Sequence, residues 1–168
     1  MRNIIKRSLV LLFIIACSLT IYGQTGLVTI KLQAFDTPIQ VDESFLSYAE
    51  IMNKLALMND IKILVQQSFR KDNEVIENAI VVPVKNSNHL VGHAIDINIF
   101  HANKYYISKT LNRYDELPEK IKVFLVGCRI SGIRWGGDFP VQDSVHFDDN
   151  YYTKNQVRYE ELYRKYQE

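Results

Sequence analysis

An α+β fold is predicted: one domain in which a small, mainly antiparallel sheet is flanked by helices. Three observations predict it. Short segments of alternating apolar and polar residues are spread along the chain, as half-buried strands require. Longer stretches with apolar residues at helical spacing stand between and after them. The 168-residue length and the 47% hydrophobic share suit one ordinary domain with a buried core.

The elements follow in order. Leu27 to Leu32 alternates Val28, Ile30 and Leu32 with Thr29 and Lys31, which reads as a strand. Asp42 or Ser44 can cap a helix running to about Met58, with Phe45, Tyr48, Ile51, Met52 and Leu55 at helical spacing and Asn59-Asp60 as its end. Ile61 to Phe69 reads as a strand entering the core. Glu74 to Val84 stays open between short helix and loop, with Pro83 opposing helix at its end. Ala94 to Phe100 is a strand with Ile95, Ile97 and Ile99 on one face and Ala94, Asp96 and Asn98 on the other. Tyr105 to Ile107 is a candidate partner for it. Pro118 suits the first turn of a helix over Glu119 to about Ser131, and Gly132 suits a left-handed cap behind it. Trp135-Gly136-Gly137 is turn-like, and Val145 to Phe147 is a short strand. Gln156 to Gln167 is a polar terminal helix whose tyrosines (Tyr159, Tyr163, Tyr166) cover the core, together with Tyr151 and Tyr152.

Residues 1–23 have the order of an export signal. Arg2, Lys6 and Arg7 precede the apolar run Leu9 to Ala16, and the chain turns polar near Gly23 and Gln24. The run falls short of the roughly 20 residues that a membrane-spanning helix needs. Two cleavage sites compete. Ile14-Ile15-Ala16-Cys17 is similar to a bacterial lipoprotein signal, in which Cys17 is lipidated; the other site is near Tyr22-Gly23-Gln24. Either way residues 24–168 are expected outside the cytoplasm, in the periplasm or beyond the cell, with lipidation of Cys17 as the only membrane attachment. A monomer is expected. A formal net charge of +1, with no long run of one sign, gives no electrostatic case for nucleic acid. Cys128 lies in the apolar stretch Val123 to Ile130 and reads as a small buried hydrophobe.

The chemistry concentrates in two places. In Ser87-Asn88-His89-Leu90-Val91-Gly92-His93-Ala94-Ile95-Asp96, a histidine in a loop is followed by a flexible glycine and an aspartate on a strand face. Neutral imidazole and carboxylate both bind zinc, and three such ligands plus water make a catalytic site. Small Ala94 shares a face with Asp96, where a larger side chain would crowd the metal. Some fifty residues on come Trp135-Gly136-Gly137-Asp138-Phe139 and Asp143-Ser144-Val145-His146-Phe147. His146 supplies a third ligand, and Asp143 is placed to take a proton from water activated by the metal.

Ser-x-His-x-x-Gly-x-Ala-x-Asp, then Trp-Gly-Gly-Asp-Phe and Asp-x-x-His-Phe, resembles the LAS group of zinc peptidases, which includes VanY-type D-alanyl-D-alanine carboxypeptidases and phage L-alanyl-D-glutamate endopeptidases. The resemblance runs from about Ile61 to Phe147. It implies a LAS/hedgehog-like fold, one zinc ion held by His89, Asp96 and His146, Asp143 as the base, and peptidoglycan stem peptide as substrate. Ser68-Phe69-Arg70 resembles a further element of the group, which implies that Arg70 stabilises the oxyanion of the substrate carbonyl. The group often carries a glutamine five residues after that arginine, where this chain has Val75.

Other residues carry open readings. Ser87 either hydrogen-bonds near the metal or caps a turn, and Trp135 either packs in the core or walls a substrate cleft beside Gly136 and Gly137. Asp138 is either a turn former or the partner that orients a ligand histidine. His93 is expected at the rim of the site, because Leu90 stands where a helical zinc motif would carry glutamate. His101 is expected at the surface. A zinc-binding module without catalysis, recognising wall peptide or a partner protein, is the alternative to an enzyme.

Overall fold

The computed structural model describes residues 26–74 and 85–168. In chain order these residues form β1 (Leu27–Ile30), β2 (Ile39–Asp42), α1 (Leu46–Met58), β3 (Lys62–Gln67), β4 (Ala94–His101), β5 (Lys104–Tyr106), α2 (Ser108–Leu111), α3 (Glu119–Ile130), β6 (Arg134–Trp135), β7 (His146–Asp148), α4 (Tyr151–Lys154) and α5 (Gln156–Gln167). The expected export signal and the open segment Glu74 to Val84 lie almost wholly outside the described residues.

The alternation in β4 makes it the axis of the main sheet. Ile95, Ile97 and Ile99 are fully buried, whereas Asp96 and Asn98 are half-buried on the opposite face. The sheet order is β3-β4-β7-β6, every pairing is antiparallel, and β5 adds to the far end of β4. The β4–β5 hairpin turns through Ala102 and Asn103, both at positive φ, as a tight two-residue turn demands. α1 and α3 pack together over the isoleucine face. Ala49, Met52 and Ala56 of α1, with Ile121, Phe124, Leu125 and Cys128 of α3, join Ile63 and Phe147 in one core. The Cys128 thiol is pushed up to about 12 by burial, so it stays a protonated apolar filler.

One strand is absent from the sequence reading. Ile39–Asp42 is a strand, paired with β1 from Leu27↔Asp42 to Ile30↔Ile39. Its last residue caps the 3-10 turn Glu43–Phe45 that leads into α1, because the Asp42 carboxylate accepts from the Ser44 backbone N–H at 2.9 Å. Helix α3 ends as expected, with Gly132 at φ 83°.

α5 covers the other end of the molecule. Tyr159, Leu162 and Tyr166 bury themselves against Val91 in a second, smaller core. This core backs the 3-10 turn Asn88–Val91, which carries the first candidate ligand.

Candidate metal centre

Asp96 and His146 are brought together by strand register. They are direct partners across β4 and β7, so their side chains share one face of the sheet. His89 arrives from the Asn88–Val91 turn, which can meet β4 only because of Gly92. That residue sits at φ 75°, and a Cβ there would lie 2.5 Å from the Asp42 backbone nitrogen. Both the conformation and the close approach require glycine.

Three donor atoms converge. His89 Nε2 lies 3.1 Å from Asp96 Oδ1 and 3.1 Å from His146 Nδ1, and His146 Nδ1 lies 3.0 Å from Asp96 Oδ1. These separations approach the roughly 3.3 Å edge of a tetrahedron with zinc–ligand bonds near 2.0–2.1 Å. The outer nitrogen of each ring already has an acceptor. His89 Nδ1 is 2.7 Å from the Ser68 carbonyl, and His146 Nε2 is 3.1 Å from Asp148 Oδ2. In neutral rings the two inner nitrogens therefore face each other as lone pairs, and a cation between them removes the conflict. The donor set fits zinc, as do the group's three expected ligands. Among the described residues this is the one His/Cys/Asp/Glu group with metal-binding geometry.

The electrostatics agree. Burial would raise the Asp96 pKa, but the His89 and His146 rings hold the carboxyl well below its ordinary range. Burial would lower the His146 pKa, yet hydrogen bonds to Asp148 and Asp96 outweigh it and push the ring up to about 10. Such a strongly cation-attracting pocket takes up a proton when no metal is there.

Asp143 is half-buried, and its pKa is raised by burial and by the Asp96 charge, against the pull of His146 and His89. Its electrostatic neighbours are thus the three donor residues. The loop that carries it is drawn in by Gly136, whose carbonyl accepts from the Asp143 and Phe139 backbone N–H groups. A Cβ at Gly136 would lie 2.0 Å from the Asp143 carbonyl oxygen, and one at Gly137 would lie 2.3 Å from the Trp135 ring. Both glycines therefore serve close approach. Trp135 is 2% exposed, and its indole N–H donates to the Ser144 carbonyl at 2.7 Å, so it packs in the core and pins the Asp143 loop. Phe139 is half-buried with its ring 6.0 Å from that of His146.

The remaining candidates take other places. Ser87 is buried, and its carbonyl accepts from the Tyr159 hydroxyl at 2.9 Å; its side chain makes no cap. Arg70 follows β3, and its backbone N–H bonds to the His89 carbonyl at 3.3 Å. Its side chain is buried, with Nε lacking a hydrogen-bond partner among the described residues. Asp138 pairs with Arg129 at 2.7 and 2.8 Å on the surface, so it orients no ligand. His101 is half-buried, its Nδ1 3.1 Å from the Asp60 carbonyl.

His93 corrects the sequence reading outright. It is 1% exposed rather than at a rim, with Nδ1 2.9 Å from Asp149, Nε2 3.2 Å from Ser44 Oγ, and its ring stacked 3.6 Å from that of Tyr151. Both carboxylates that face it, Asp42 and Asp149, come from segments distant in sequence.

A family model described as D-alanyl-D-alanine carboxypeptidase matches residues 82–149. That stretch holds all three donors and Asp143, and the match supports a peptidase of this general kind. No curated protein matches the chain.

Proposed function

We propose that the chain is a zinc-dependent peptidase that hydrolyses peptidoglycan stem peptides, as a D-alanyl-D-alanine carboxypeptidase or an L-alanyl-D-glutamate endopeptidase. The convergence of His89 Nε2, Asp96 Oδ1 and His146 Nδ1 beside a half-buried carboxylate carries this reading. The family match over residues 82–149 supports the substrate class.

His89, Asp96 and His146 would hold the zinc, which would supply Lewis-acid polarisation of water and the scissile carbonyl. The chain's own residues do the rest. Asp143, its pKa raised by burial and by the Asp96 charge, takes the proton as water attacks and hands it to the leaving amine. Arg70 is proposed to hold the carbonyl oxygen as charge develops there; its buried Nε is a donor with no partner among the described residues. Half-buried Gly137 is proposed to line the substrate groove. The positive, apolar, then polar order of residues 1–23 supports export, which would put the enzyme where its substrate is.

The test is digestion of purified peptidoglycan by the protein from Gln24 onward, with and without a chelator, the released fragments being identified by mass. Chelator-sensitive release of D-alanine identifies a carboxypeptidase, and internal stem cuts identify an endopeptidase. Stoichiometric zinc with no release contradicts catalysis and leaves a zinc-binding module.

A further inference from the structure

Asp148 is the most heavily engaged carboxylate near the site, and the peptidase mechanism gives it no task. It is 2% exposed. Its Oδ2 lies 3.1 Å from His146 Nε2 and accepts from Asn88 Nδ2 at 2.9 Å. Arg134 binds it with both arms, Nε to Oδ1 and Nη2 to Oδ2, each at 2.6 Å. The Asn150 backbone N–H completes the set at 3.0 Å.

Strand register builds this arrangement. Asp148 lies two residues after His146 on β7, hence on the same sheet face. Arg134 of β6 and Ala94 of β4 are its direct cross-strand partners. The row Arg134–Asp148–Ala94 therefore runs beside the row His146–Asp96. Ala94 is small where Asp148 and its arginine need room, which is a second reason for that residue besides the metal.

We propose that Asp148, clamped by Arg134, is the positioning residue that fixes His146 for metal binding, a role that rests on the metal reading of the three donors. A neutral imidazole has one N–H. Donation from Nε2 to Asp148 leaves the lone pair on Nδ1, the nitrogen that faces His89 and Asp96. Nδ1 lies well off the Cβ–Cγ axis, so turning the ring would swing it away from His89 and Asp96, and the bond at Nε2 fixes that turn. Through Asn88, the residue before His89, the same carboxylate also steadies the turn that carries the other histidine. The guanidinium holds the carboxylate in one rotamer with two bonds and balances its charge in a buried place.

The test compares the full zinc-binding chain with Asp148→Asn and Arg134→Gln. Zinc affinity is read by competition with a chromophoric chelator, ligand geometry by the visible spectrum of bound Co2+, and folding by near-ultraviolet circular dichroism. Asp148→Asn is expected to weaken zinc by about 10–100-fold and to alter the Co2+ spectrum. Arg134→Gln, which leaves the acceptor in place but loosens it, is expected to give a smaller loss in the same direction. A folded Asp148→Asn with unchanged zinc affinity and Co2+ spectrum overturns the proposal; should that variant fail to fold, unchanged affinity in Arg134→Gln overturns it. Peptide hydrolysis measured in parallel keeps the two claims apart. Weakened zinc in the variants with no hydrolysis by any form contradicts the peptidase and upholds the positioning role.

Discussion

Asp96 and His146 are direct cross-strand partners, with Asp96 Oδ1 3.0 Å from His146 Nδ1. Fifty residues of sequence separate them, and one antiparallel ladder sets them side by side. The ligand pair thus belongs to the sheet itself, and only His89 depends on a loop. Sites built on regular elements hold their geometry more closely than sites on loops alone.

Because each ligand comes from a different element, loss of one should empty the site without unfolding the chain. Asp96→Ala or His89→Ala is expected to lower zinc affinity at least about 100-fold with an unchanged far-ultraviolet spectrum. Ala94→Leu should also reduce zinc occupancy, since a larger side chain there meets the Asp148 row. Equilibrium dialysis against zinc checks all three; full occupancy in Asp96→Ala would contradict the ligand assignment.

Zinc binding should be pH-dependent with a definite sign. The metal-free His146 ring, raised to about 10 by Asp148 and Asp96 despite burial, carries a proton at neutral pH that zinc must displace. Affinity is therefore expected to rise by about tenfold per pH unit between pH 6 and 8, for one proton released per zinc. Calorimetry in buffers of different ionisation enthalpy measures that proton; an affinity independent of pH contradicts it.

His93 makes a separate pH prediction about stability. Burial would lower its pKa, but hydrogen bonds to Asp149 and Asp42, and then their charges, raise it. Its contribution is fully present below the unfolded value near 6.5 and is lost as pH rises through the raised folded value. Asp42 acts in the opposite range. Despite burial, bonds from His93, Ser44 and Tyr166 lower its pKa from 3.8 to about 2, so its contribution is lost as pH falls through that window. The melting temperature of wild type minus that of His93→Gln is expected to be largest at mildly acidic pH and to shrink as pH rises. A difference constant from pH 5 to 9 would contradict the buried charge cluster.

Gly136→Ala should disable the site chiefly through Asp143. A Cβ there meets the Asp143 carbonyl at 2.0 Å, so the loop must move outward. Hydrolysis is expected to fall at least about tenfold, as displaced catalytic groups require, with a smaller loss of zinc affinity because the new Cβ also comes within 3.1 Å of His146 Cβ. Unchanged hydrolysis would mean that Asp143 does not need this placement.

The local signals were legible where local physics decides. The β4 alternation, the Gly132 cap and the Gln156–Gln167 helix all appear in the structure as the sequence reading has them. The convergence of His89, Asp96 and His146 was legible because their chemistry and spacing are distinctive. Strand β2 was hidden, since Asp42 reads as a helix cap and is also a strand end. His93 was misplaced because the partners that bury it, Asp42 and Asp149, lie about fifty residues away on either side. Asp148 has no signal in the sequence, because its meaning depends on register with Arg134 and on the ring of His146, neither of which a linear pattern displays.

The most direct measurement sets Asp143→Asn beside the wild-type chain, recording zinc content and turnover of a stem pentapeptide ending in D-alanyl-D-alanine together with its L-alanyl-D-glutamate bond. Wild type is expected to bind one zinc and cut one of those bonds, and Asp143→Asn to keep the zinc and lose at least about 100-fold in turnover, the scale of a general base. Equal turnover by both forms, or none by a zinc-loaded wild type, would contradict the reading of this site as a hydrolytic centre.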